Sequence, residues 1–358
     1  MNIKLSLILL IITTLLFSCK NEQSGNSQFE RVKPAMLPTS YGNIDQAIII
    51  ADKDYMNGKL GKALEEKLNR NYPLLPQAEP IMDFKAHAFK DFDKRKREYR
   101  NIIIVSDLKG ESELSKFVRA AIGEKNLAKA QNDPLFFTTA VKDIWARNQQ
   151  VVFVFGQDVD IITSSIEQNG SHVLAIVELF ERQKVKEAAY ANGIDNQLTD
   201  EVYKKLAVLV DIPMGYKIAY EDANTIWLRY DGEPKITSNI IIHQRKAAKF
   251  GEIEDTRYLL RNELGGIVHS SLKDDFMRTD TIIPPEIDKI FSTKYLITRA
   301  RGLWRFNKDF SGGPFTNHSF IEKESQRLIM LDGFVLAPGK KKRLPMRKIE
   351  SIFLTARF

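Results

Sequence analysis

Five histidines, His87, His172, His243, His269 and His318, are the first residues to question for chemistry. None has another histidine within a helical turn, so no pair has the spacing that holds a zinc ion on one helix face. His269 stands beside Ser270, but neighbours along a helix point in different directions, and adjacency alone makes no dyad. His243 lies in an apolar run and reads as a core histidine. Carboxylates cluster at Glu65-Glu66, at Asp274-Asp275 and at Glu252, Glu254 and Asp255. Acid–base work needs facing geometry, which spacing does not supply, and these residues read as exposed charges on amphipathic faces. The stretch Gly58-Lys59-Leu60-Gly61-Lys62 lacks the spacing of a phosphate-binding loop and the Ser or Thr that should follow its lysine. The chain holds no Gly-x-Ser-x-Gly, His-Glu-x-x-His or Cys-x-x-Cys pattern. No metal site and no cofactor is expected, and catalytic residues stay unassigned.

One constellation suits binding: Trp304-Arg305, then Gly312-Gly313-Pro314-Phe315, then His318. Trp and Arg are favoured where binding energy concentrates, and a Gly-Gly-Pro turn lets a backbone approach another group closely. The same residues read equally as a core tryptophan beside a tight turn. If they enclose a pocket, Arg299, Arg301 and Arg347 are its candidate anion donors. Charge points to the same third of the chain. From residue 291 onward there are 14 Lys or Arg against 5 Asp or Glu, a balance of +9 in a chain whose total is +7. Lys340, Lys341, Lys342, Arg343, Arg347 and Lys348 form the densest basic patch, and Lys94 to Arg97 is a second run. Basic clusters attract phosphates and anionic surfaces. The other reading of the patch is a solvated hairpin tip whose lysines discourage edge-to-edge pairing.

The single cysteine, Cys19, closes an N-terminal apolar run from Leu5 to Phe17 that follows Lys4. One basic residue and about a dozen apolar ones is the layout of a secretory leader, too short for the roughly 20 residues a membrane-spanning helix needs. Leu16-Phe17-Ser18-Cys19 resembles the lipobox of bacterial lipoproteins. The resemblance implies cleavage after residue 18 and diacylation of Cys19, and two or three acyl chains anchor a protein firmly. Residues 19–40, polar and containing Gly25, read as a flexible tether. Lys20 at the second mature position favours the outer membrane. Glu22 alone falls short of the acidic cluster of surface-exposed lipoproteins, so the periplasmic face is expected over the cell surface. An exported protein rarely meets nucleic acid, so none is expected as a partner.

These residues need a scaffold. Apolar runs at Asp45–Ala51, Asn101–Val105 and Val151–Phe155 read as buried strands. Leu60, Leu64 and Leu68 mark one face of a helix over 59–68. Ser112 caps a helix through Ile122, and a long helix spans about Val159 to Tyr190, with a break expected near Asn169-Gly170. Thr199 reads as the N-cap of the next helix. Tyr216–Tyr220 and Thr225–Tyr230 read as a hairpin. Strand-like runs at 327–330, 333–337 and 349–355, separated by Gly and Pro turns, predict an antiparallel sheet at the C-terminus. The reading is α+β: two α/β sandwich-like modules, residues 41–195 and 196–358. Asn239–Ile242 echoes Asn101–Ile104, and Trp304–Asn307 echoes Trp145–Asn148, which leaves an internal duplication open.

The lipobox, Ile212-Pro213-Met214-Gly215-Tyr216, Trp304 with Gly312-Gly313-Pro314-Phe315, and Ala337-Pro338-Gly339-Lys340 with Met346-Arg347 together resemble DUF4837, Bacteroidetes lipoproteins of unknown function. The resemblance implies an envelope lipoprotein and brings no catalytic residues with it. The expected role is a non-enzymatic binding or assembly factor, partnered by the membrane through its anchor and by an envelope protein or an anionic lipid or glycan. The alternative is an envelope hydrolase or transferase acting on an anionic glycan or lipid, using His318 or an acidic residue that the sequence does not single out.

Overall fold

The computed structural model describes residues 34–133, 135–246, 260–291, 295–322 and 324–358. The leader, Cys19, most of the tether and the Glu252, Glu254 and Asp255 group lie outside the described residues.

The first body is built on β1 (Gln46–Ala51), β2 (Asp83–Ala88), β3 (Asn101–Asp107), β4 (Thr138–Lys142) and β5 (Gln150–Gly156) in the order β2-β1-β3-β5-β4. All pairs are parallel except the β4 edge. The central strands are apolar on both faces because both are covered. Ile49, Ile103, Val152 and Val154 pack under α2 (Lys59–Leu68) and α5 (Val159–Ala189). Their neighbours in sequence, Ile48, Ile102, Ile104 and Phe153, point the other way, towards α4 (Glu113–Asn132) and an aromatic cluster. This is the period-two logic of a buried strand. The short helices α1 (Lys53–Asn57) and α3 (Lys94–Arg97) fill connections.

α5 runs unbroken through the expected interruption. Gly170 serves packing instead: a Cβ there would stand 2.7 Å from Cβ of Lys67, so glycine lets α2 lie close. Trp145 sits in the turn between β4 and β5.

The second body opens with α6 (Asn196–Leu206), capped by Asp195 rather than Thr199. The Thr199 hydroxyl accepts instead from the amide of Ile212 at 3.0 Å. Then follow β6 (Lys217–Glu221), β7 (Thr225–Glu233), β8 (Ile236–Lys246), α7 (helical residues 260–265), β9 (Met277–Asp280), β10 (Glu286–Phe291), β11 (Tyr295–Phe306), β12 (Gly312–Glu322), β13 (Arg327–Leu336) and α8 (Arg343–Phe353). The strands form one antiparallel sheet, β10-β11-β12-β13-β8-β7-β6, with β9 beside β11. α6 and α8 cover one face, over Ile240, Ile242, Ile329 and Leu331. α7 covers part of the other, over Ile241, Met330, Trp304 and Phe315.

The architecture is therefore α+β, but the two bodies are not copies. One sheet is mostly parallel and sandwiched by helices; the other is antiparallel and meandering. The first pair of echoes does fall on strands, β3 and β8, yet Trp145 is in a turn and Trp304 in a strand. Short apolar strands in any buried sheet look alike, and that likeness carried the duplication reading.

The run at 349–355 is also corrected: its residues belong to α8 and the turn after it. Met346, Ile349 and Phe353, spaced three and four apart, are the buried helical face. α8 packs on β13 at Gly333, where a Cβ would come within 2.3 Å of Ile349. Its other side meets α5, so α8 is the wedge between the two bodies.

Candidate functional site

The basic patch does not stand in solvent. Pro338-Gly339 is a turn, but it opens α8 instead of returning a strand. Lys340 and Lys341 are exposed, whereas Lys342, Arg343 and Arg347 are buried in the seam between the bodies. Lys348 is half-buried and pairs with Glu233 at 2.9 Å. The seam is built as a chain of charges. Glu79, before β2, accepts from the amides of Lys342 at 2.6 Å and Arg343 at 3.2 Å. A carboxylate from the first body thus caps the helix of the second, where the backbone amides are otherwise orphaned. Arg343 also meets Asp83 at 2.9 Å and Asp45 at 3.2 Å. Arg347, one helical turn on, pairs with the other oxygen of Asp45.

Asp45 is 1% exposed and held at φ 60°, in the left-handed region, just before β1. Its amide donates to Glu181 at 2.7 Å. Glu181, wholly buried on α5, also takes Arg100 at 2.6 Å and the Asn101 amide nitrogen at 2.8 Å. Burial pushes the Asp45 carboxyl up to about 6, against the pull of Arg347 and Arg343 and with the repulsion of Glu181 and Asp83.

Beside this seam lies a cleft of about 640 Å³, walled by α5, α8, the loop before β2 and the β11–β12 floor. Register places Arg299 directly opposite His318, so both side chains share the face turned to α8. Arg301, two residues on, is on the same face and pairs with Glu350 of α8 at 2.9 Å. Arg347 closes the seam end, and Arg182 and Lys186 stand exposed at the α5 rim.

Arg299 gives this cleft a buried donor, its Nε, without an acceptor among the described residues. His318 is 7% exposed and lines the cleft, and its ring meets the edge of Phe353, at 5.2 Å between centroids. Burial, then the fields of Arg299 and Arg301, hold its imidazole down to about 3. At neutral pH it is uncharged, with one nitrogen to donate and one to accept. A buried donor left without a partner costs about 1–3 kcal/mol. The arrangement suits an oxyanion: a guanidinium, a neutral N–H donor and further cations at the rim.

Trp304, Arg305, Gly312 and Gly313 are not brought to this cleft. Trp304 pairs with Gly313, five residues along the strands from the Arg299–His318 pair, or about 16 Å at the usual strand rise. Odd and even positions face opposite ways, so Trp304 points into the core under α7, 2% exposed, donating to the Val335 carbonyl at 3.3 Å. A Cβ at Gly313 would fall 2.0 Å from that same carbonyl oxygen. These residues answer to packing. Arg305 is exposed at the far end of β11.

Period-two counting would have separated Trp304 from Arg299 and Arg301 once β11 was taken as one strand. Nothing in the sequence signals Asp45, Glu79 or Glu181, whose partners lie far away in the chain, or Arg182 at the cleft rim.

A second hollow, about 720 Å³, lies beside Leu37, Phe92 and Trp145. It is more open to solvent, and its Arg97 is already stacked over Phe92 and Trp145 at 5.5 and 6.0 Å. Among the described residues no group of three or more His, Cys, Asp or Glu is placed to hold a metal ion. No described helix is long and apolar enough to cross a membrane.

Residues 195–355 match the family model of DUF4837, a domain of unknown function, and residues 40–191 match DUF8532, another domain of unknown function. No curated protein matches the chain. Among solved structures, a crystal structure from Bacteroides thetaiotaomicron is similar at 10% identity over 42% of this chain and 44% of its own, with a TM-score of 0.25. The chain thus spans less than half of that protein's length. The human StarD13 (DLC2) lipid transfer and protein localization domain is similar at 11% identity over 44% of this chain and 95% of its own, with a TM-score of 0.21. Neither score marks a shared fold.

Proposed function

We propose that this chain, whose residues 195–355 form a DUF4837 domain, is a lipid-anchored, non-enzymatic binding protein of the cell envelope, and that the cleft between its two bodies takes an anionic ligand. The anchor rests on Leu16-Phe17-Ser18-Cys19 at the end of an apolar leader. Attachment to the outer membrane, facing the periplasm, rests on Lys20 and the near absence of acids after it.

The observation that carries the ligand reading is a buried Arg299 Nε, without an acceptor among the described residues, directly opposite a buried His318 on one floor. The seam arginines are matched by carboxylates; among the described residues Arg299 is not. The hydrolase or transferase reading would ask His318 to move protons. A base titrating at about 3 takes up a proton poorly at neutral pH, far from the matched value that general catalysis favours. Binding is what this geometry does well.

The test has two parts. In a Gram-negative host the full chain should fractionate with membranes and carry a diacylated Cys19 by mass spectrometry, and Cys19→Ala should be released. An unmodified thiol in the membrane-bound chain would remove the anchor. In the mature chain from residue 19, inorganic phosphate should shift the imidazole resonances that His318→Gln deletes. Arg299→Gln should abolish the shift while leaving the fold intact. An unchanged spectrum at high phosphate would remove the anion site.

A further inference from the structure

The cleft has a second character that an oxyanion alone leaves unused. Leu179 on α5 is 64% exposed and Leu354, at the end of α8, is 72% exposed. Both line the same cleft, on the two helices that wall it, with Ile81 and Pro73 beside them. Scattered exposed leucines need no explanation, but these two, one from α5 and one from the end of α8, line a cavity that also holds the arginine floor. The volume, about 640 Å³, is that of a site for a small organic molecule, far more than one phosphate fills. Arg299, Arg301 and His318 lie together on its floor.

We propose that the ligand of this cleft is an amphiphile: an anionic head group, phosphate or carboxylate, carried on an apolar chain. The head sits between Arg299 and His318, and the chain lies between Leu179 and Leu354. This rests on the anion reading above and goes beyond it by adding the tail. Charge complementarity selects the head, since Arg182 and Lys186 at the rim add to the floor cations while only Glu178 and Glu350 oppose them, and Glu350 is already paired with Arg301. Removal of apolar surface from water supplies the affinity for the tail.

The experiment is calorimetric titration of the mature chain with inorganic phosphate, octyl phosphate, octanoate and octyl glucoside, each below its micellar concentration. Octyl phosphate is expected to bind at least tenfold more tightly than inorganic phosphate, and octyl glucoside at least tenfold more weakly than octyl phosphate. Octanoate matching octyl phosphate makes the head any oxyanion; octanoate failing makes it phosphate; both support the proposal. Leu179→Ser and Leu354→Ser, at exposed positions that leave the core intact, should erase the advantage of octyl phosphate and leave inorganic phosphate unchanged. If phosphate binds and the octyl chain adds nothing, the amphiphile proposal falls while the anion site stands. If octyl glucoside equals octyl phosphate, the cleft is apolar without charge selection and the proposal falls. If none binds, both readings fall together.

Discussion

The seam and the cleft share α8 and meet at Arg347, yet they treat charge in opposite ways. In the seam, Arg343 and Arg347 face Asp45 and Asp83, Arg100 faces Glu181, and Glu79 caps the helix. On the far face of the second sheet, Arg261 is matched in the same manner, paired with Asp332 at 3.0 Å and lying over the Phe315 ring at 3.7 Å. In the cleft, Arg299 keeps a buried nitrogen without an acceptor among the described residues, directly opposite the buried His318. A buried charge that serves only the fold is matched, because an unmatched one costs several kcal/mol. A cation left without its match inside a cavity is where a ligand completes the structure.

The contrast can be broken at three places. Glu181→Ala removes the acceptor shared by Arg100, Asn101 and the Asp45 amide, leaving a buried guanidinium uncompensated. The expected loss is about 3–5 kcal/mol of stability in urea unfolding. A loss below about 1 kcal/mol would mean that the seam is not what holds these charges in place.

His318 gives a smaller effect with a definite sign. Its imidazole titrates at about 3 in the folded chain and near 6.5 when unfolded. Between those values the unfolded chain binds the extra proton, so stability from this group is lost as pH falls. Compared with His318→Gln, the natural chain should lose roughly 1 kcal/mol per pH unit below 6.5. Asp45, raised to about 6, acts with the opposite sign over part of that range, but it is present in both chains and cancels in the comparison. Parallel pH profiles would show that His318 is not held neutral.

The smallest effect belongs to the exposed end of the patch. Lys340→Ala with Lys341→Ala should change stability by no more than about 0.5 kcal/mol, measured by the same unfolding. A larger change would give these lysines a role in the seam that their exposure denies them.

How much of this was legible beforehand differs by residue. The helix over 59–68, the Ser112 cap, the hairpin at 217–233 and the strands at Asn101 and Val151 all follow from local pattern, since period and capping chemistry act over a few residues. Arg299, Arg301, Arg347 and His318 were legible as candidates, but not as neighbours of α5. Trp304 was misplaced because hot-spot composition and core composition are the same for tryptophan, and only strand parity separates them. The last helix was misread because Pro345 and the apolar residues around Ile349 look strand-like to a short window, whereas their three-and-four spacing is satisfied only against β13.

By itself the amino-acid sequence determined the α+β class, most helices and strands, and the location of the positive charge in the last fifth of the chain. These depend on composition and on spacing within a few residues. Tertiary structure alone decided which of those charges are spent on the seam and which lie in the cleft beside it. Glu79 reaches Lys342 across 263 positions and Arg347 reaches Asp45 across 302. A charge finds its partner through space, and no local pattern records that pairing.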